Sequence, residues 1–217
     1  MIIWLNGTFG SGKTSTAERL AALVPNSRVI DPETVGQLLR ANLSDQYIFD
    51  FQDWAAWRPL VAATLVEIAR MTGQHLIVPQ TVLKRDYLEQ IFAPLRAAEL
   101  EVFHVVLDAA DALLRSRIEL SGEGNEWRLA HLDEYAQARP WITEAADFVV
   151  DTVASTPAQI ARRIVAAMPS MPDLPAQPQV AARPAANGKT AGKTAGRSAD
   201  MTAEKMTEKT AEKAKAE

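Results

Sequence analysis

An α/β fold, with a parallel β-sheet covered by helices on both faces, is predicted by three observations. Five short apolar segments alternate along the chain with longer segments of helical periodicity, a pattern typical of parallel sheets. A glycine-rich loop joins the first apolar segment to the first helical one. The apolar periodicity stops at Met168 of the 217-residue chain, so we expect a single domain within residues 1–168.

The five predicted strands are short and mostly apolar, as expected of strands buried on both faces. They are Met1–Leu5, Ser27–Asp31, His75–Val78, Val102–Leu107 and Phe148–Val150. Helices are predicted over residues 14–24, 33–42, 53–71, 86–98, 109–118, 131–138 and 157–168, with a bend or restart at Pro59. Ligands of such sheets bind at the carboxyl ends of the strands. Polar residues at those ends are Asp31, Pro79–Thr81, Asp108 and Asp151–Thr152.

The glycine-rich loop, GTFGSGKT, fits the phosphate-binding pattern G-x-x-x-x-G-K-[ST] and lies between a strand and a helix, as that pattern requires. Its glycines let backbone N–H groups converge on phosphate oxygens, and the helix N-terminus adds partial positive charge. We therefore predict a P-loop NTPase fold with ATP and Mg²⁺ as cofactors; Lys13 reaches the phosphates and Thr14 binds the metal. The residues expected to hold the nucleotide are Gly7, Thr8, Phe9, Gly10, Ser11, Gly12, Lys13 and Thr14.

Catalytic candidates lie on the second strand and after the fourth. Asp31 could take a proton from a substrate hydroxyl or hold Mg²⁺ through water; the alternative is a helix cap before Pro32. Arg115 and Arg117 precede a glycine-rich break at residues 121–125, and we expect a lid over about 115–130. Arginines on a lid neutralise charge in phosphoryl transfer, although an ordinary solvated helix face remains an alternative.

Substrate-binding candidates follow the second and third strands. Trp57 and Arg58 could line a pocket for a flat or anionic molecule, or the tryptophan could belong to the core. Gln80 lies at the carboxyl end of the third strand. Asp108 is interpreted as a cap of the next helix, with a metal-binding role as the minority alternative.

Composition divides the chain at the same place as the periodicity. Residues 1–168 hold 15 Lys and Arg against 21 Asp and Glu, an acidic balance that argues against nucleic-acid binding. Residues 169–217 are rich first in Pro and Ala, then in Ala, Lys, Thr and Glu, which predicts a disordered tail with little membrane attraction. There is no cysteine, basic leader or long apolar run, so we expect a cytoplasmic protein.

The stretches MIIWLNGTFGSGKT, DPETVG, DFQDWAAWR and LIVPQT resemble the tunicamycin-resistance ATP-binding protein (TmrB) family, which is similar to shikimate kinase and other small-molecule and nucleotide kinases. The resemblance implies sheet order 2-3-1-4-5, a lid near residues 115–130, a catalytic or substrate-binding acid at Asp31, and protection against tunicamycin, a uridine-containing antibiotic. The chain departs from related nucleotide kinases at Pro79–Thr81, where an acid is common. It departs from the family in its polar tail, where the family has an amphipathic C-terminus.

The function expected from these features is ATP-dependent phosphoryl transfer to tunicamycin or a related nucleoside antibiotic. Two alternatives stay open. The protein could bind ATP and drug without transferring anything, or it could be a metabolic small-molecule kinase unrelated to resistance. The expected partners are ATP and one small-molecule substrate.

Overall fold

The computed structural model describes residues 1–46, 48–122 and 125–170. The tail predicted from composition lies almost wholly outside these ranges, as does the centre of the glycine-rich break after Arg117. Within the described residues, no helix combines the length and the apolar content needed to cross a membrane.

Among the described residues, five parallel strands form one sheet. They are β1 (Ile2–Asn6), β2 (Ser27–Val29), β3 (His75–Pro79), β4 (Val102–Asp108) and β5 (Phe148–Asp151). Their order is β2-β3-β1-β4-β5, and every neighbouring pair is parallel. The predicted fold class and strand order are therefore confirmed. Because β1 is central, the loop that follows it emerges at the middle of the sheet edge where ligands bind in such folds.

Helices cover both faces of this sheet. In chain order they are α1 (Lys13–Ala21), α2 (Glu33–Asn42), α3 (Trp57–Thr72), α4 (Arg85–Ala97), α5 (Asp111–Ser121), α6 (Asn125–Glu144) and α7 (Pro157–Ala167). The helix α3 begins at Trp57, close to the restart predicted at Pro59, and Pro59 lies in its first turn, where its missing N–H breaks no helical hydrogen bond. A short 3₁₀ turn, Phe51–Asp53, precedes that helix.

The core is divided by the sheet, since successive side chains of a strand point to opposite faces. On β1, Ile2 and Trp4 join the cluster beneath α3 and α4, and the Trp4 ring meets Phe92 edge-on at 5.3 Å. Ile3 and Leu5 join the opposite cluster beneath α1 and α7. Because alternate side chains of β1 pack into two apolar layers, the strand is held between them, and this sets the position of the loop that follows it.

The long helix α6 was predicted only over residues 131–138. Its buried side carries Leu132, Tyr135, Ala138 and Ile142 against α5 and the end of β4. An adjacent side, which shares Ala138 with the buried one, carries polar and aromatic residues that line a cavity. These residues weakened the apolar periodicity and made the helix look shorter. The residues of α6 outside the predicted range form part of a wall of the candidate site.

Candidate functional site

The phosphate loop has a backbone that only glycine adopts easily. Gly7, Gly10 and Gly12 have φ angles of +133°, +75° and +90°, a region that L side chains avoid. A Cβ at Gly7 would lie 2.5 Å from the carbonyl oxygen of Leu107, and one at Gly10 would lie 3.0 Å from that of Leu114. The end of β4 and the helix α5 thus pack directly against the loop and stabilise its curved backbone.

The polar atoms of the loop fit a bound polyphosphate. The hydroxyls of Thr8 and Ser11 are buried without a hydrogen-bond partner among the described residues, which is uncommon in proteins. Lys13 donates from Nζ to the carbonyl oxygen of Thr8 at 2.9 Å, and burial lowers the pKa of Lys13 to about 8. Thr14 lies exposed in the first turn of α1, so its hydroxyl is accessible to Mg²⁺.

The loop is tied to the neighbouring strands by side chains at their carboxyl ends. Asn6 Oδ1 accepts hydrogen bonds from the N–H groups of Gly7 at 2.8 Å and Val82 at 3.0 Å. The hydroxyl of Thr81 donates to the carbonyl oxygen of Gly7 at 2.7 Å. These bonds join the ends of β1 and β3 and hold the first residues of the loop in a fixed place.

A cavity of about 350 Å³ opens beside the loop. Its walls come from the loop, the start of α2, the 3₁₀ turn, the segment after β3 and one side of α6. The lining residues that matter for the chemistry are Phe9, Glu33, Asp50, Gln80, Trp127 and Glu134. A cleft of this size, with aromatic walls and a few polar groups, is typical of a small-molecule site.

An aromatic cluster joins the loop to α6. The Phe9 ring meets Trp127 at 4.9 Å and His131 at 5.5 Å, and the last two rings are 4.3 Å apart. Nδ1 of His131 lies 2.7 Å from the carbonyl oxygen of Trp127 within the helix. Phe9, predicted only as a phosphate-loop position, thus also forms part of the cavity wall.

Two carboxylates next to β2 have different surroundings. Asp31 is exposed, and its Oδ1 accepts the N–H of Glu33 at 2.9 Å, in keeping with the helix-cap alternative. Glu33, the first residue of α2, is also exposed, but unlike Asp31 it lines the cavity. Burial and the charge of Asp31 raise the pKa of Glu33, while Lys13 acts in the opposite direction. The carboxylate placed for contact with a cavity ligand is therefore Glu33.

Trp57 and Arg58 were predicted to bind substrate, and the structure corrects this. Trp57 is fully buried in the core and donates from Nε1 to the carbonyl oxygen of Pro32 at 3.2 Å. Arg58 is also buried; its Nε donates to Gln90 at 2.6 Å, and its guanidinium lies 4.0 Å from the centre of the Tyr87 ring. Their contacts hold the walls in place, and neither side chain is free for a ligand.

Arg58 also donates to the carbonyl oxygens of Gln52 and Trp54. It therefore fastens the 3₁₀ turn, which carries part of the cavity wall, to α3. A buried guanidinium needs such acceptors because its charge cannot be removed by deprotonation.

Gln80 does line the cavity, as its position after the third strand suggested. Its side chain is only 3% exposed, and its Nε2 donates to the carbonyl oxygen of Thr81 at 3.0 Å. Its Oε1 has no hydrogen-bond partner among the described residues. A buried acceptor without a partner is uncommon in proteins.

The predicted lid arginines differ in position. Arg117 donates to the carbonyl oxygen of Gly10 at 3.1 Å and to the hydroxyl and carbonyl oxygens of Thr152 at 3.1 and 2.9 Å. Arg115 is exposed on α5. Arg128 donates to Ser121 at 3.0 Å, with its guanidinium 5.9 Å from the Phe9 ring. Among the described residues, Arg117 is thus the arginine that hydrogen-bonds to the backbone of the phosphate loop.

Asp108 was predicted as a helix cap, yet α5 is preceded by Ala110, and the Asp108 carboxylate points to α6. It accepts the hydroxyl of Tyr135 at 2.8 Å and Nη2 of Arg139 at 2.7 Å. Burial and this contact raise the pKa of Tyr135. The carboxylate thus connects the end of β4 to the helix that lines the cavity.

The sequence did contain a signal for the residues of α6 that were missed. Residues 127, 131, 134, 138 and 141 line the cavity and are separated by alternating steps of four and three. This spacing places them on one side of a helix. Their mixture of aromatic, acidic and small side chains hid the pattern from a search for apolar periodicity. No comparable signal distinguished Glu33 from Asp31.

Comparison with known proteins agrees with this geometry. A family model described as an AAA domain matches residues 2–139. The chain belongs to this AAA-domain family. A shikimate kinase from Halorhodospira halophila (strain DSM 244 / SL1) is 29% identical to it over 182 residues, which cover 78% of this chain and 94% of the relative.

Solved structures of similar fold include the tunicamycin resistance protein of Deinococcus radiodurans, with TM-score 0.61, 28% identity and coverage of 76% of this chain and 93% of that one. This neighbour confirms the resemblance read from the sequence. A gluconokinase from Sinorhizobium meliloti 1021 has TM-score 0.55 and 21% identity, with coverage of 76% and 89%. At that identity the likeness concerns the fold alone. Together the matches place the AAA-domain chain among P-loop proteins with a kinase-like fold.

Proposed function

We propose that the protein transfers the γ-phosphoryl group of ATP to a hydroxyl group of a small molecule held in the cavity. The observation that carries this proposal is the position of Glu33. It lines a cavity that opens directly beside the phosphate loop, and burial raises its pKa. A carboxylate with a raised pKa, next to a phosphate site, suits general-base catalysis.

The loop would bind the triphosphate through its backbone N–H groups and the ammonium of Lys13. Lys13 would leave the carbonyl oxygen of Thr8, its partner at 2.9 Å in this structure, and turn to phosphate oxygens. Thr14 would hold Mg²⁺, which when bound reduces the charge of the phosphate oxygens. Arg117 would support the loop through the carbonyl oxygen of Gly10.

In the transfer step, Glu33 would accept the proton of the acceptor hydroxyl. The acceptor oxygen forms a bond to the γ-phosphorus, and the bond from that phosphorus to the oxygen it shares with the β-phosphate breaks. ADP leaves with the electron pair, and Glu33 returns the proton to water. Asp31 stays a second candidate for the base, because it lies two residues from Glu33 and accepts a hydrogen bond from its backbone N–H. Arg115 is exposed here, so it could stabilise the transferring phosphoryl group only after its side chain moves toward the loop.

The acceptor we propose first is tunicamycin or a related nucleoside antibiotic. Support comes from the family resemblance and from the 28%-identical Deinococcus neighbour. The aromatic rings of Phe9 and Trp127 offer flat surfaces to a base or sugar ring. The alternative function is sequestration, in which ATP and drug are bound without transfer.

Mass spectrometry of tunicamycin incubated with the protein and Mg-ATP tests the proposal. We expect the antibiotic to gain one phosphoryl group, and we expect no gain with Lys13→Ala. Tight binding of unmodified tunicamycin would contradict transfer and support sequestration. If tunicamycin is neither bound nor modified, tunicamycin is not the ligand.

A further inference from the structure

We propose that Asn6 is a positioning residue that joins the phosphate loop to the wall of the cavity, and that a neutral His104 fixes the orientation of its amide. The inference rests on the proposed function in one respect, because its test uses Mg-ATP as the ligand of the loop. Asn6 is the last residue of β1, lies directly before the loop and is fully buried. Its side chain therefore acts on a ligand only through the groups that it contacts.

Each polar atom of the Asn6 amide has two partners. Oδ1 accepts hydrogen bonds from the N–H groups of Gly7 at 2.8 Å and Val82 at 3.0 Å. Nδ2 donates to the carbonyl oxygen of Val82 at 3.1 Å and lies 3.4 Å from Nε2 of His104. Because a backbone N–H only donates and a carbonyl oxygen only accepts, the three backbone partners permit one orientation of the amide.

These hydrogen bonds connect the two parts of the candidate site. Gly7 begins the phosphate loop, and its carbonyl oxygen accepts the hydroxyl of Thr81 at 2.7 Å. Val82 lies between Thr81 and Leu83, which both line the cavity. A displaced Asn6 amide would therefore shift the phosphate-binding backbone relative to the cavity wall. Group transfer depends steeply on the distance between the reacting molecules, so such a shift of about 1 Å is costly.

His104 accepts the remaining hydrogen bond of the Asn6 amide. Its Nδ1 lies 3.0 Å from the carbonyl oxygen of Ala145. Since that oxygen cannot donate, Nδ1 carries the proton of the neutral ring, and Nε2 is left as the acceptor for Asn6. The His104 side chain is only 2% exposed, and its ring meets Phe92 edge-on at 5.5 Å.

The surroundings of His104 favour the neutral ring that this arrangement requires. Burial lowers the pKa of His104, and Arg96 acts in the same direction. The hydrogen bond to Ala145 and the charge of Asp147, which accepts the backbone N–H of His104 at 2.7 Å, act in the opposite direction. A charged ring would turn a second N–H toward Nδ2 of Asn6, and two donors cannot form a hydrogen bond with each other.

The test is calorimetric titration of full-length Asn6→Asp and of the unaltered chain with Mg-ATP, from about pH 8 to about pH 6. The introduced carboxylate still accepts the N–H groups of Gly7 and Val82, but it cannot donate. At about pH 8 we expect the affinity of this variant for Mg-ATP to fall by about tenfold or more. The carboxylate also favours the charged form of His104, whose Nε2 then supplies a donor. The difference between the two chains should therefore narrow as the pH falls, whereas titration of Lys13 and of the nucleotide affects both chains alike.

Asn26→Asp is the matched control, because Nδ2 of Asn26 also donates to a backbone carbonyl oxygen, that of Gly73 at 2.8 Å. These two residues precede β2 and β3, at the edge of the sheet away from the loop, so the control should bind Mg-ATP like the unaltered chain at every pH. A second pair of variants decides the matter if Asn6→Asp does not fold. His104→Gln offers an acceptor to the Asn6 amide and should keep most of the affinity, whereas His104→Leu offers none and should lose it.

Nitrogen chemical shifts of the imidazole in the isotope-labelled unaltered chain, assigned with His104→Gln, report the tautomer independently of nucleotide. We expect a neutral ring protonated at Nδ1. Protonation at Nε2, unchanged affinity in Asn6→Asp, a difference in affinity that does not vary with pH, or an equal loss in Asn26→Asp would overturn the inference while the proposed function stands. If the unaltered chain does not bind Mg-ATP, the proposed function fails, and the tautomer still decides the role of His104.

Discussion

Lys13 should couple nucleotide binding to pH, because burial lowers its pKa to about 8 in the absence of phosphate. An unfolded lysine titrates near 10.4. Between these values the folded chain holds fewer protons than the unfolded chain, so the free energy of unfolding contributed by Lys13 rises with pH from about 8 to about 10.4. A bound phosphate favours the charged ammonium and should raise the pKa again.

We therefore expect Mg-ATP binding near pH 8 to be accompanied by proton uptake at Lys13. Calorimetry in two buffers of different ionisation enthalpy measures this uptake directly. In Lys13→Met it should disappear, together with most of the nucleotide affinity. Binding of Mg-ATP to the unaltered protein without proton uptake would contradict the proposed role of the lysine.

The two carboxylates at the start of α2 can be separated by a matched pair of substitutions. Glu33→Gln should lower turnover by about two to four orders of magnitude, as expected for loss of a general base, while Mg-ATP still binds. Asp31→Asn keeps an oxygen that can accept the N–H of Glu33, so its effect should be smaller. Turnover and melting temperature measured on both variants show which carboxylate is the general base. A larger loss of turnover in Asp31→Asn would make Asp31 the base.

At the scale of single elements, α6 depends on its connection to β4. The hydroxyl of Tyr135 donates to the partly buried carboxylate of Asp108 at 2.8 Å, and the Tyr135 ring is fully buried. Tyr135→Phe should lower the free energy of unfolding by about 1.5–3 kcal/mol, the usual value for a hydrogen bond to a charged group.

Tyr87→Phe is the matched control, because the Tyr87 hydroxyl makes an exposed hydrogen bond to Asp53 at 2.8 Å. Urea unfolding should show a smaller loss for this variant than for Tyr135→Phe. If the two losses are equal, the contact between Asp108 and Tyr135 does not fasten the helix as described.

The sequence predicted the elements whose signals are local. The loop pattern, the strands and the order of the sheet follow from glycine spacing, short apolar runs and the family resemblance. The cavity was harder to predict, because its walls come from segments far apart in the chain. Trp57 and Arg58 were assigned to it since they are aromatic and charged, yet whether such residues face a cavity or the core depends on how α3 is rotated, which the sequence does not show. The cavity-lining face of α6 was not predicted, because residues that line a cavity need not be apolar.

At the scale of the whole chain, we predict that the described fold does not need residues 171–217. That segment holds few large apolar residues, so it can bury little surface to offset the entropy of ordering it. Deletion of residues 171–217 should leave the melting temperature and the affinity for Mg-ATP nearly unchanged. A clear fall in either would show that the segment contributes to folding or to the site.

The most direct test of the central claim follows the γ-phosphoryl group itself. ATP labelled with heavy oxygen in that group is incubated with the protein, Mg²⁺, tunicamycin and a pool of neutral, amine-bearing and acidic polyols, and the products are identified by mass. We predict that the labelled phosphoryl group appears on a small molecule, that the product is lost in Lys13→Ala, and that its formation is strongly slowed in Glu33→Gln. Label found only in ATP or in inorganic phosphate would contradict the account.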